Sequence, residues 1–180
     1  FKYGVASGDP TNTNVILWTK ILPIGNPEIR VRWEVSTLSN FSNLVTFGHA
    51  RTNSKNDYTV KVDAKIPRQY NGKKLYYRFL ADGKNSEIGT TSTLPIENPT
   101  NFNIAFCSCS NYPAGYFNAF KEIANNEKIN LVLHLGDYLY EYGHGGYGSK
   151  DAEKMGRIVN PKHEMLSLDD YRKRYATYRS

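Results

Sequence analysis

The sequence is poor in the features that anchor or cross-link a chain. It has only 2 Cys, 2 Met and 2 Trp among 180 residues, and it begins at Phe1 rather than Met. No apolar run approaches the roughly 20 residues a bilayer helix needs, and no signal-peptide apolar region is present. A membrane span is therefore not expected. The first residues already read as folded sequence, so a chain that has lost a leader or been trimmed is expected. No run of five or six basic residues accompanies the net charge of +6. Lys and Arg alternate with apolar residues instead, as in Arg30-Val31-Arg32-Trp33. That pattern suits solvated strand faces and gives no specific nucleic-acid site. Cys107 and Cys109 are two apart on one strand-like stretch. Their Cα atoms would lie about 6.5–7 Å apart with parallel side chains, so two thiols are expected rather than a disulfide. There is no internal repeat and no low-complexity segment.

Aromatic residues are plentiful: 13% of the chain, with 14 Tyr. Residues 1–96 carry the period of two that marks half-buried strands. Asn14 to Ile21 holds the apolar block Val15-Ile16-Leu17-Trp18. From Glu28 to Thr37, Ile29, Val31, Trp33 and Val35 share one face, while Arg30, Arg32 and Glu34 occupy the other. Leu44 to Arg51, Tyr58 to Ala64, Leu75 to Ala81 and Ile88 to Leu94 are further strands. Turn chemistry separates them at Gly8-Asp9-Pro10, Gly25-Asn26-Pro27, Asn71-Gly72 and Asp82-Gly83. An all-β sandwich of the immunoglobulin or fibronectin III kind is expected, with Trp18, Trp33, Val35 and Tyr77 in its core.

Residues 95–100, Pro-Ile-Glu-Asn-Pro-Thr, read as a linker. Beyond it the pattern changes. Phe102 to Cys109 is a strand. Tyr116 to Glu127 is an amphipathic helix with Phe117, Phe120, Ile123 and Ala124 on one face. Asn130 to Leu135 is an apolar run expected of a parallel strand buried on both sides. Together these form a βαβ unit, the first part of an α/β domain over 101–180. A glycine-rich loop follows at 143–148, and a last helix spans Ser167 to Arg179. Ser167 is its N-cap, and Tyr171, Tyr175 and Tyr178 line one side.

Ligands of open α/β sheets sit beyond the carboxyl ends of the strands. Cys109 ends the first strand of the unit, Asp137 follows the second, and Tyr140 lies three residues on. Thiolate, carboxylate and phenolate gathered at one edge would repel one another unless a cation sat among them. These donors favour ferric iron over magnesium, and a bridging Asp suggests more than one metal, a recurring arrangement in phosphoryl transfer. Each residue also has an ordinary reading. Cys109 suits a small buried hydrophobe, Asp137 a turn cap, and Tyr140 a core position. His134 reads as a buried structural His and His144 as an exposed loop residue. His49 and His163 have no evident partner.

Three blocks go further. Phe-Cys-Ser-Cys-Ser at 106–110, Gly-Tyr-Phe-Asn-Ala-Phe at 115–120 and Leu-Val-Leu-His-Leu-Gly-Asp-Tyr-Leu-Tyr-Glu-Tyr-Gly at 131–143 closely resemble the alkaline phosphatase D family. The opening Gly-Val-Ala-Ser-Gly-Asp-Pro at 4–10 resembles the start of that family's amino-terminal domain. Residues 163–172 resemble the segment after its first metal motif. The resemblance implies a secreted, periplasmic or cell-surface enzyme. An immunoglobulin-like domain would precede a calcineurin-like metallophosphoesterase domain that hydrolyses phosphate mono- and diesters with iron and calcium. It implies that Cys109 and Tyr140 bind iron and that Asp137 bridges the metals. It assigns no general acid or other catalytic residue here. The family's remaining acidic and His ligands have no counterpart before Ser180. The chain is therefore expected to hold part of a metal site and to be inactive alone, with the carboxy-terminal part supplied by further sequence or by a second chain. The alternative is a non-catalytic secreted binding module with a degenerate phosphoesterase domain.

Overall fold

The computed structural model describes residues 1–25 and 27–180, so the expected turn Gly25-Asn26-Pro27 includes one residue outside the described set. The chain is mostly β-sheet with few helices, and it divides into two compact units, Phe1–Asn98 and Pro99–Ser180.

The first unit contains β1 (Val5–Gly8), β2 (Asn14–Lys20), β3 (Ile29–Ser36), β4 (Leu44–Thr52), β5 (Thr59–Lys65), β6 (Leu75–Ala81), β7 (Lys84–Asn85) and β8 (Gly89–Thr91). One antiparallel sheet has the order β1-β2-β5. The other runs β4-β3-β6-β7, with β8 also paired to β6. Both sheets contribute to one apolar core. Val15, Leu17, Val60 and Ala64 come from the first, and Ile29, Val31, Val35, Leu75, Tyr77 and Phe79 from the second. Each alternates with an outward neighbour, as the pleat requires.

Two expectations about this core change. Trp33 packs against it, but Trp18 does not belong to it. Within the Val15–Trp18 block, Val15 and Leu17 are buried, and Trp18 falls on the opposite face by the same period of two. Glu34, expected on a solvated face, is only 6% exposed. Arg32 Nε donates to it at 2.7 Å and an Arg78 guanidinium nitrogen approaches at 2.8 Å. Burial alone would raise its pKa, but these two partners outweigh burial and hold it below the ordinary carboxylate value. The two guanidinium groups in turn stack on Phe47 and Phe41, with centroid distances of 4.3 and 4.1 Å. At β8 the backbone of Gly89 lies directly on the Tyr77 ring, where a Cβ would overlap the ring atoms.

The second unit pairs β9 (Ile104–Cys107) and β10 (Leu131–His134) in parallel, joined through α1 (Asn118–Asn125). The expected burial of the second strand on both faces does not hold in this chain. Val132 is 47% exposed, Leu133 43% and Phe106 74%, because a two-stranded sheet has too few neighbours here to cover its faces. The last helix is α2 (Leu168–Tyr178). Its Ser167 N-cap forms a capping box with Asp170. The buried line of α2 is Asp170, Arg174 and Tyr178, whereas Tyr171 is exposed. Aromatic contacts then tie the unit together. Tyr178 packs on Tyr112 and Phe117, Phe120 stacks on His134, and Tyr138 packs on His134 and Tyr175.

Candidate metal centre

Parallel pairing in register places the ends of β9 and β10 side by side, so the segments leaving them meet. Cys109 N–H donates to Gly136 O at 3.1 Å, and Ser110 N–H donates to Asp137 O at 2.9 Å. The turn is tight enough to force Cys109 and Asp137 into the left-handed region, at φ 62° and 53°. Asp tolerates that region; a Cys there carries strain on the order of 1–2 kcal/mol. Left-handed non-glycine residues of this kind concentrate at functional sites.

His134 and Ser110 lock the turn. Gly136 N–H donates to His134 Nδ1 at 3.4 Å, and His134 Nε2 shares a hydrogen bond with Ser110 Oγ at 2.8 Å. The pair is a clamp between the two strand ends.

The three candidate ligands converge. The Tyr140 hydroxyl donates to Asp137 Oδ2 at 3.2 Å, and the Cys109 thiol approaches the same oxygen at 3.6 Å. The Tyr140 hydroxyl is held well above its ordinary pKa, first by its hydrogen bond with Cys109, then by desolvation and by the nearby Asp137 charge. A cluster that resists ionisation without a counter-charge is one that a cation would stabilise. Among the described residues no three His, Cys, Asp or Glu side chains meet around a point. The cluster reaches three donors only through the Tyr140 phenol.

Other histidines have partners that spacing did not reveal. His144 Nε2 contacts Glu153 Oε1 at 3.1 Å, and its side chain is only 26% exposed. His163 Nε2 contacts Asp170 Oδ1 at 3.2 Å. A cavity of about 470 Å3 opens on the glycine-rich loop, lined by His144, Ser149, Lys150, Glu153 and glycine backbone; none of the three candidate ligands lines it. Sequence reasoning missed Arg174. Its side chain is 1% exposed and donates to the backbone oxygens of Tyr140, Asn160 and Pro161, so α2 holds the segment carrying Tyr140. Nothing in the periodicity of α2 separates this Arg from a surface one.

Residues 1–95 match the family described as PhoD-like phosphatase, N-terminal domain, and residues 104–180 match PhoD-like phosphatase. The chain belongs to the PhoD-like phosphatase family. Alkaline phosphatase D of Bacillus subtilis (strain 168) is 39% identical over 191 residues, covering 100% of this chain and 31% of that protein. A solved structure titled "Structure of PhoD" superposes with a TM-score of 0.89 at 38% identity, covering 99% of this chain and 35% of that one. This PhoD-like chain thus spans about a third of the length of each relative. Among the described residues, no helix is long and apolar enough to cross a membrane.

Proposed function

We propose that this chain is the amino-terminal portion of a metal-dependent phosphoester hydrolase acting on phosphate mono- and diesters. The observation that carries this reading is the convergence of Cys109, Asp137 and Tyr140 on one carboxylate oxygen, in a chain of the PhoD-like phosphatase family. Cys109, Asp137 and Tyr140 are the residues that would hold the metals, ferric iron and calcium. Bound there, the cations supply Lewis acidity toward the phosphate and lower the pKa of water at the site. The chain's own residues supply placement. The His134–Ser110 clamp fixes the strand ends, and Arg174 fixes the backbone at Tyr140. The first unit is of the immunoglobulin type, a reading supported by its two antiparallel sheets around a shared core. The protein works outside the cytoplasm, in secreted, periplasmic or cell-surface form. Calcium takes about six to eight oxygen ligands, so sequence or a partner chain beyond these residues completes the site.

The test is spectroscopic. The natural full-length protein should contain iron and absorb in the visible through ligand-to-metal charge transfer, and Tyr140→Phe should weaken or shift the band while the fold persists. Purified free of longer protein and loaded with iron and calcium, residues 1–180 should show little turnover of a chromogenic phosphate ester. A colourless, iron-free and fully active protein, or full turnover by residues 1–180 alone, would overturn the reading.

A further inference from the structure

Two runs of backbone lie side by side in the second unit. Met165 N–H donates to Glu141 O at 3.0 Å, and His144 N–H donates to Lys162 O at 2.7 Å, so residues 141–144 rest along residues 162–165. Gly143 is where the runs press together. A Cβ there would come within 2.8 Å of Lys162 O and 3.2 Å of Glu164 N, so any side chain at this position would wedge them apart.

Helix α2 grips the second run at both ends. Arg174 donates to Asn160 O at 3.3 Å and to Pro161 O at 3.0 Å. Asp170 accepts from Leu166 N–H at 3.3 Å and from Ser167 N–H at 3.0 Å, and it contacts His163 Nε2 at 3.2 Å. Arg174 also reaches across to Tyr140 O. Both side chains are buried, Arg174 at 1% and Asp170 at 8% exposed. Cys109 and Asp137 are tied in another way. Cys109 N–H donates to Gly136 O and Ser110 N–H to Asp137 O, so their backbones are held by the strand-end turn itself.

We propose that Arg174, Asp170 and Gly143 are positioning residues for the Tyr140 phenol: α2, acting through residues 160–166, sets the one candidate ligand that the strand-end turn does not hold. This rests on the metal reading above. A Tyr carries its oxygen on a long, stiff side chain, so a small tilt of its backbone moves that oxygen further than the same tilt would move a Cys sulfur. Contacts behind a ligand orient it and tune the centre it serves. The site is therefore built in two parts that can be lost separately. Loosening the grip of α2 detaches the phenol and leaves the thiol and carboxylate in place.

The test uses the natural full-length protein and four variants. Resonance Raman spectra excited in the visible charge-transfer band read the ring modes of an iron-bound phenolate and the iron–thiolate stretch separately, and elemental analysis reads iron content. Gly143→Ala wedges the two runs apart without changing charge, and Asp170→Asn weakens the hold on residues 163–167. Both should lose phenolate ring intensity while keeping the thiolate stretch and the iron. Arg174→Lys keeps the charge but cannot reach three carbonyls at once, and should show a smaller loss of the same kind. Tyr178→Phe is the control. It loosens the same helix where the Tyr178 hydroxyl accepts from Tyr112 N–H at 3.1 Å, and should leave the phenolate modes unchanged. Phenolate and thiolate signals that fall together with the iron, or an equal loss in Tyr178→Phe, would reduce α2 to general support and overturn the proposal. Unchanged spectra in Gly143→Ala, Asp170→Asn and Arg174→Lys overturn it as well, while the metal reading stands. An unmodified protein without iron overturns the metal reading, and the positioning role falls with it. If one variant fails to fold, the other two decide.

Discussion

Replacing Arg174 tests whether the second unit is held by a buried cation rather than by its modest apolar core. The side chain is 1% exposed and has three backbone acceptors, two of them Asn160 O at 3.3 Å and Pro161 O at 3.0 Å, with Tyr140 O the closest. Charge-assisted hydrogen bonds contribute about 1.5–3 kcal/mol each, so three give a gross of about 5–9 kcal/mol. Against this stands the desolvation of the guanidinium, which lowers its pKa. Arg174→Met removes that penalty but strands three carbonyls, and the expected net loss is about 3–5 kcal/mol. That is a large share of the about 5–15 kcal/mol that holds a typical domain. Arg174→Lys keeps the charge but cannot reproduce the planar fork, and should fall between. Urea denaturation followed by hydrogen exchange in residues 168–178 reads the second unit. Trp18 and Trp33 both lie in the first unit, so their fluorescence reports it separately. A loss below about 1 kcal/mol in Arg174→Met would show that the three contacts carry little net energy and that the reasoning is wrong.

Two further outcomes follow from the geometry. Asp170 is held well below its ordinary carboxylate pKa of 3.8, chiefly by the Ser167 hydroxyl and then by the Ser167 and Leu166 N–H groups and His163. Its contribution to stability is therefore complete above about pH 5 and declines as pH falls through its unfolded value. Asp170→Asn should lower stability at neutral pH and flatten the acid limb of the stability–pH curve; an unchanged acid limb would assign the effect elsewhere. Gly89→Ala should cost about 1–3 kcal/mol by forcing β8 off the Tyr77 ring, measured as a shift in the Trp fluorescence transition, and a neutral result would mean that the ring moves aside freely.

Strands with clean alternation were legible in the sequence: Leu75–Ala81 appears with unchanged bounds, and Ile29–Ser36 within one residue at each end. β1 was not legible, because Val5-Ala6-Ser7-Gly8 carries too little apolar character to show a period. Trp18 was misplaced because four contiguous apolar residues hide which parity faces inward. The burial of Glu34, Asp170 and Arg174 was not legible for one reason. A charged residue is buried only where particular partners meet it, and distant ones take part: Arg78 lies 44 residues from Glu34, and the three acceptors of Arg174 lie 13 to 34 residues from it. Cys109, Asp137 and Tyr140 could be placed together because strand ends in a βαβ unit share an edge. The left-handed backbone at Cys109 and Asp137 gave no signal, since neither position carries the Gly that usually marks it.

That backbone also bears on how such a chain changes over generations. At Cys109 the fold alone prefers Gly, which occupies φ 62° without strain, yet Gly offers no sulfur. Selection for folding and selection for a ligand therefore pull the same codon in opposite directions. A library of position-109 variants chosen only for solubility and stability should drift toward Gly and Asn. The same library chosen for iron retention should keep Cys. A lineage that had abandoned metal binding while preserving its fold would be expected to accumulate relaxed residues at this turn first.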